Sequence, residues 1–189
     1  MSYRYLLFHK PYGVLSQFTD VAGRATLKGY IDVPGVYAAG RLDYDSEGLL
    51  LLTDDGALIR RLTDPRFHLP KTYLAQVEGE ITPEALHKLE AGLLIQGYRT
   101  RPCQAQAIPA PDLPPRLKPL TPHGPTAWLR LVLHEGKKRQ VRHMTAAVGL
   151  PTLRLLRVAI GPLELGDLPP GEWRELRGEE LAGFRRGKA

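Results

Sequence analysis

The sequence predicts an α+β chain with a largely antiparallel sheet, and three observations carry that prediction. Alternating segments and segments with helix-start signals are mixed along the chain without a regular βαβ repeat, which argues against a doubly wound parallel sheet. A run of four leucines, Leu49 to Leu52, lies between Gly48 and the turn signal Asp54-Asp55-Gly56, as expected for a short strand buried on both faces. Apolar residues make up 43% of 189 residues, which is enough core for one domain of ordinary size or two small lobes sharing it.

Taken in order, residues 3–9 alternate and are rich in aromatics, which reads as a strand broken by Lys10-Pro11-Tyr12-Gly13. Residues 26–31 form a short helix candidate, and residues 36–40 lead as a strand into the loop before the leucine run. Residues 56–62 read as a helix behind Asp54 and Asp55, whose carboxylates suit a helix N-terminus, and Thr63-Asp64-Pro65 ends it. Residues 71–77 alternate as a strand. Thr82-Pro83-Glu84 then supplies the cap, first-turn proline and acid of a helix running to about Ala91. Residues 109–125 are proline-rich without an apolar period and read as a surface connection or an extended hairpin tip. Residues 128–134 form a strand, 139–148 a helix and 153–160 a strand, and residues 184–189 are expected to be a mobile basic tail.

The net charge of +6 suggests an anionic partner. One cysteine, Cys103, excludes an internal disulfide, suits a reducing compartment and has no Cys/His cluster beside it that would bind metal. No stretch approaches the ~20 apolar residues of a membrane span, and the N-terminal apolar run is too short for a signal peptide. A cytoplasmic protein is expected.

The loop from Gly40 to Ser46, supported by the leucine strand behind it, is where chemistry is expected. Its acids admit three readings. Asp43, Asp45, Glu47, Gly48 and Asp54 match EF-hand positions, but strands rather than helices flank them. Asp43-Tyr44-Asp45-Ser46 approximates the motif of phosphatases with an aspartyl nucleophile, but Gly40-Arg41 fits poorly in front of it and no second acid cluster follows. The third reading is a lone nucleophilic aspartate in Arg41-Leu42-Asp43.

The stretch Gly40-Arg41-Leu42-Asp43, with Ser46 and Gly48-Leu49-Leu50, resembles the signature of the pseudouridine synthases that modify ribosomal RNA. Phe8-His9-Lys10-Pro11-Tyr12, Lys71-Thr72-Tyr73, Glu135-Gly136-Lys137-Lys138-Arg139-Gln140-Val141-Arg142 and residues 153–161 recur there in the same order. Within the family the chain is most similar to the large-subunit (23S) synthase E branch, through residues 17–20, 35–40 and 151–155.

The resemblance implies the pseudouridine synthase catalytic fold, with an active-site cleft between lobes of roughly 1–65 and 66–183 in a single catalytic domain, 1–183. It implies no cofactor and no metal. Asp43 is then the nucleophile, Tyr73 the ring that stacks on the target uracil, and Arg142 the arginine paired with the aspartate. On a helical wheel Arg142 points inward while Arg139 and His143 face elsewhere. Arg41 fills the gap left by a flipped-out uridine. Leu153 packs beneath the uracil or, equally, serves the core. Lys71, Lys137, Lys138, Arg139, Arg154 and Arg157 supply positive charge for the phosphate backbone. The expected partner is 23S rRNA or a large-subunit precursor particle, bound by a monomer. Because the catalytic pattern starts at Tyr3, no small N-terminal RNA-binding module of the S4 type is expected. His143 departs from the family's usual arginine.

Overall fold

A computed structural model describes residues 3–116 and 118–185. The strands are β1 (Tyr5–Lys10), β2 (Tyr37–Ala38), β3 (Glu47–Thr53), β4 (Lys71–Glu78), β5 (Leu94–Ile95), β6 (Tyr98–Arg99), β7 (Gln104–Ile108), β8 (Thr126–Leu133), β9 (Thr152–Ile160), β10 (Leu163–Glu164) and β11 (Trp173–Glu175). The helices are α1 (Gly56–Thr63), α2 (Pro83–Ala91), α3 (Gln140–Ala147) and α4 (Gly178–Arg185). The fold is α+β, as predicted.

Local chemistry explains where the helices start. Asp55 Oδ1 accepts from the backbone N–H groups of Ala57 and Leu58 and so caps α1. Thr82 Oγ1 accepts from Ala85 N, with Pro83 in the first turn of α2. The leucine run is the interior of β3, and every residue of that strand is buried.

One sheet runs through the molecule in the order β11-β1-β3-β9-β4-β8-β7, with β2 added to β3 and β10 to β9. Its two halves are β11-β1-β3 and β9-β4-β8-β7, and because β11 comes from residues 173–175 they do not follow the expected division near residue 65. They meet where β3 and β9 pair over only two positions, Glu47 with Leu156 and Gly48 with Arg157, the one parallel pairing among the described strands. Gly48 makes the junction possible. Its φ is +104°, and an added Cβ would fall 2.2 Å from Arg157 O, so only glycine lets the two backbones approach this closely. Beyond these two pairs β3 and β9 part, and the cleft opens beside them.

Apolar clusters flank the sheet. One joins β4, β8, α2 and α3 through Ala75, Leu89, Leu129, Leu131 and Met144. A second packs α1 and α4 beneath β3 and β9, and a third covers the opposite face of β1 and β3. Several expectations change here. The helix candidate at residues 26–31 is a single 3-10 turn, Leu27–Gly29. The proline-rich stretch does not change: it is the connection of the β7–β8 hairpin, within what the sequence led us to expect. The expected tail begins inside α4, where Phe184 is 2% exposed against Gly161 and the second cluster, while residues 186–189 lie outside the described residues. Among the described residues, no helix is long and apolar enough to cross a membrane.

Candidate active site

The cleft beside the β3–β9 junction has a volume of about 730 Å³, well within the range of sites that enclose a ligand of nucleoside size. Both halves of the sheet contribute to it. The loop before β3 brings Arg41, Leu42, Asp43 and Tyr44, and β4 brings Lys71 and Tyr73. From β9 come Leu155 and Arg157, and the turn into α3 adds Lys137, Lys138 and Arg139.

Asp43 is half-buried at the cleft wall. Its backbone carbonyl accepts from Ser46 N at 3.0 Å, which closes the turn that presents the side chain. Ser16 Oγ clamps the residue before it, donating to Leu42 O at 2.9 Å and accepting from Leu42 N at 3.0 Å. Among the described residues the Asp43 carboxylate has no hydrogen bond and no ion pair within 4.0 Å. It is held by its backbone and left open toward the cleft.

The expected Asp43–Arg142 pair does not form. Arg142 Nη2 donates to Asp45 O at 2.8 Å, its Nε lies 3.4 Å from Asp45 Oδ2, and Nη1 donates to Thr152 O at 3.1 Å. It clips the loop to the start of β9 instead. Arg139 does not face elsewhere either, because it precedes the first turn of α3 with φ +54° and the helical wheel does not apply to it. Its fork grips Asp45 with two bonds of 2.8 and 2.9 Å. Burial pushes the Asp45 carboxyl upward, but the hydrogen bonds from Arg139 and the charges of both arginines outweigh it and hold the group below the usual carboxylate range. Burial pulls the Arg142 guanidinium down, with Asp45 opposing.

Two arginines expected on the phosphate backbone are interior. Arg154 is 7% exposed, pairs with Glu47 through two bonds of 2.9 Å, and donates to Pro114 O. Arg157 is 3% exposed and donates through Nε to Leu49 O. Both lie on a strand central to the sheet, where side chains meet neighbouring strands rather than solvent. Leu153 stands outside the cleft, at the register irregularity where β9 slips against β4, and Leu155, paired regularly with Ala75, lines it instead.

Other expected positions do reach the cleft. Arg41 and Lys138 are exposed on its rim. Lys137 Nζ sits 3.4 Å above the centroid of the Tyr98 ring. Lys71 is half-buried and donates to Leu69 O, with burial and the Arg157 charge lowering its pKa.

Sequence reasoning did not single out Lys10. It is fully buried, donates to Pro11 O and Val14 O, and is brought down to about 8 by burial, against the charges of Glu47, Asp45 and Asp43. The strand registers place Lys10 opposite Gly48, Gly48 opposite Arg157, and Arg157 opposite Tyr73, one row crossing three strand boundaries. The acids that suggested calcium or a phosphatase have other partners: Asp45 and Glu47 hold arginines, and Asp54 accepts from Arg4 N.

The cleft lies at the parallel seam of a mostly antiparallel sheet, and an aspartate without a side-chain partner among the described residues, a tyrosine and several cations line it together. The family model described as RNA pseudouridylate synthase matches residues 4–147, and the chain belongs to that family. Its relatives narrow the likeness. It is 56% identical over 170 residues to the ribosomal large subunit pseudouridine synthase E of Xanthomonas axonopodis pv. citri, covering 87% of this chain and 90% of that one. It is 49% identical over 174 residues to the synthase E of Vibrio parahaemolyticus, covering 91% of this chain and 73% of that one. A crystal structure of a pseudouridylate synthase superposes with a TM-score of 0.81 at 30% identity, covering 97% of this chain and 74% of that one.

Proposed function

We propose that this chain converts a specific uridine of 23S rRNA, near the peptidyl-transferase centre, to pseudouridine, with Asp43 as nucleophile on a flipped-out nucleotide. The reaction breaks the N1–C1′ bond and forms a C5–C1′ bond, while the proton lost from C5 is balanced by one gained at N1. No atom is added or removed, so the chemistry needs a nucleophile, a surface that retains the detached base, and charge stabilisation. The observation that carries the reading is the Asp43 carboxylate, rigidly presented by its backbone, unpaired, and sharing one cleft with Tyr73.

Tyr73 is 9% exposed, with its ring at the cleft, which suits a surface on which a uracil can stack and turn. Arg142 and Arg139 act through Asp45 and position the loop. Arg41, on the rim two residues before Asp43, is placed to enter the helix that the uridine leaves, and Lys137 and Lys138 to meet phosphates. The chain acts as a monomer in the cytoplasm, on free 23S rRNA or a precursor particle.

The test is Asp43→Asn. The variant binds rRNA with wild-type affinity and forms no pseudouridine, and 5-fluorouridine RNA is trapped or altered only by the wild type. Pseudouridine formation by Asp43→Asn would end the assignment. Mapping pseudouridines in 23S rRNA from cells lacking the protein identifies the target.

A further inference from the structure

Arg157 is 97% removed from solvent, since only 3% of its surface is exposed, yet it lines the cleft. A guanidinium has five N–H donors and no acceptor. Here one of them is used, Nε–H to Leu49 O at 2.9 Å. Nη2 is buried without an acceptor among the described residues, and no hydrogen bond or ion pair there involves Nη1. Three residues earlier on the same strand, Arg154 shows how this fold neutralises a buried guanidinium, with a carboxylate fork from Glu47 and a carbonyl from Pro114. Among the described residues nothing comparable meets Arg157. Burying a charged donor and leaving it unmet is costly, so a site of this kind is completed by an acceptor that arrives with a ligand.

The register says where that acceptor lies. Arg157 is directly opposite Tyr73 across the β4–β9 boundary, and directly opposed side chains on one face stand about 4.5–5.5 Å apart at Cβ. A base stacked on the Tyr73 ring therefore presents an edge to the guanidinium. The surroundings favour electron-rich atoms at that edge, because Lys71 and Lys10 both feel the Arg157 charge.

We propose that Arg157 is the residue that holds the edge of the target base, donating from its free N–H groups to a uracil carbonyl oxygen. This rests on reading the cleft as a uridine site. The contact suits the isomerisation because turning uracil about its N3–C6 axis exchanges N1 with C5 and, at the same time, O2 with O4. One fixed donor thus meets a carbonyl oxygen both before and after the turn. Where the oxygen met first is O4, the same contact rejects cytosine, which offers an amino donor at that position.

The experiment compares wild type, Arg157→Met and Arg157→Lys on a short RNA carrying uridine, 2-thiouridine or 4-thiouridine at the target. Single-turnover conversion, RNA affinity and thermal unfolding are measured for each. Arg157→Met slows conversion of the uridine RNA by about 10- to 100-fold, the loss of one charge-assisted hydrogen bond. RNA affinity stays within about threefold because phosphate contacts dominate it. One of the two thiouridines, whose sulfur is the weaker acceptor, slows the wild type but not Arg157→Met. Arg157→Lys keeps the charge and part of the rate, and carries the same thiouridine comparison if the methionine variant does not fold.

Equal slowing of the variants on all three RNAs would mean that Arg157 acts only through Leu49 and would overturn the inference, as would an unchanged rate. If the wild type itself forms no pseudouridine on an RNA carrying the mapped target, it is the functional reading that fails.

Discussion

Replacing Gly48 with alanine tests the seam on which the cleft depends. An added Cβ would lie 2.2 Å from Arg157 O and 2.8 Å from Arg157 N, and neither backbone atom can rotate out of the way. The strands must separate by more than about 1 Å to restore ordinary contact distances. Holding a non-glycine residue at φ +104° costs about 1–3 kcal/mol by itself. Separation adds the loss of the two-position β3–β9 pairing and of the Arg157 Nε bond to Leu49 O, at about 0.5–1.5 kcal/mol for each hydrogen bond. The expected total is roughly 3–6 kcal/mol, in the far tail for single substitutions. Gly40→Ala is the control, since its φ of +94° is equally special but its nearest contact is Thr63 Cγ2 at 3.8 Å, leaving only the backbone cost. Urea unfolding followed by circular dichroism measures both. A Gly48→Ala loss within about 1 kcal/mol of the Gly40→Ala loss would refute the close-approach reasoning.

Four further outcomes follow from the charges. Lys10 is lowered by burial to about 8 from 10.5, so between those values the unfolded chain binds more protons and stability rises with pH. Lys10→Met lacks that rise, which unfolding midpoints across the window will show. Lys138→Ala lowers the salt slope of RNA binding by about 0.7–1. Arg154→Met leaves that slope unchanged but destabilises the fold by about 3–5 kcal/mol, because Glu47 is left buried without its partner. Glu180, held down to about 2 by hydrogen bonds from Arg174, contributes stability that is complete above about 4.5 and lost as pH falls toward 2. The gap in melting temperature between wild type and Glu180→Gln should close over that range.

Much of this was legible in the sequence, because it depends on neighbours along the chain. The caps at Asp55 and Thr82 act over two or three residues, and the leucine run, bounded by Gly48 and a turn signal, reads as the buried strand it forms. The aspartate loop and the tyrosine of β4 were each identified from contiguous residues. Cross-chain pairings were not legible. Arg142, Arg154 and Arg157 look alike as basic residues beside a candidate site. Only the folded sheet gives the first to Asp45 and the second to Glu47, and leaves the third facing the cleft. The choice between Leu153 and Leu155 likewise depends on the register of β9 against β4, which slips at Leu153. The chain alone determined which local elements form, since those follow from backbone preference and short-range hydrogen bonding, and its family resemblance marked the loop whose carboxylate is proposed as the nucleophile. Tertiary structure alone decided which cations are paired within the fold and which line the cleft without such a pair, since partners 97 to 108 positions apart meet only when β3 and β9 converge at Gly48.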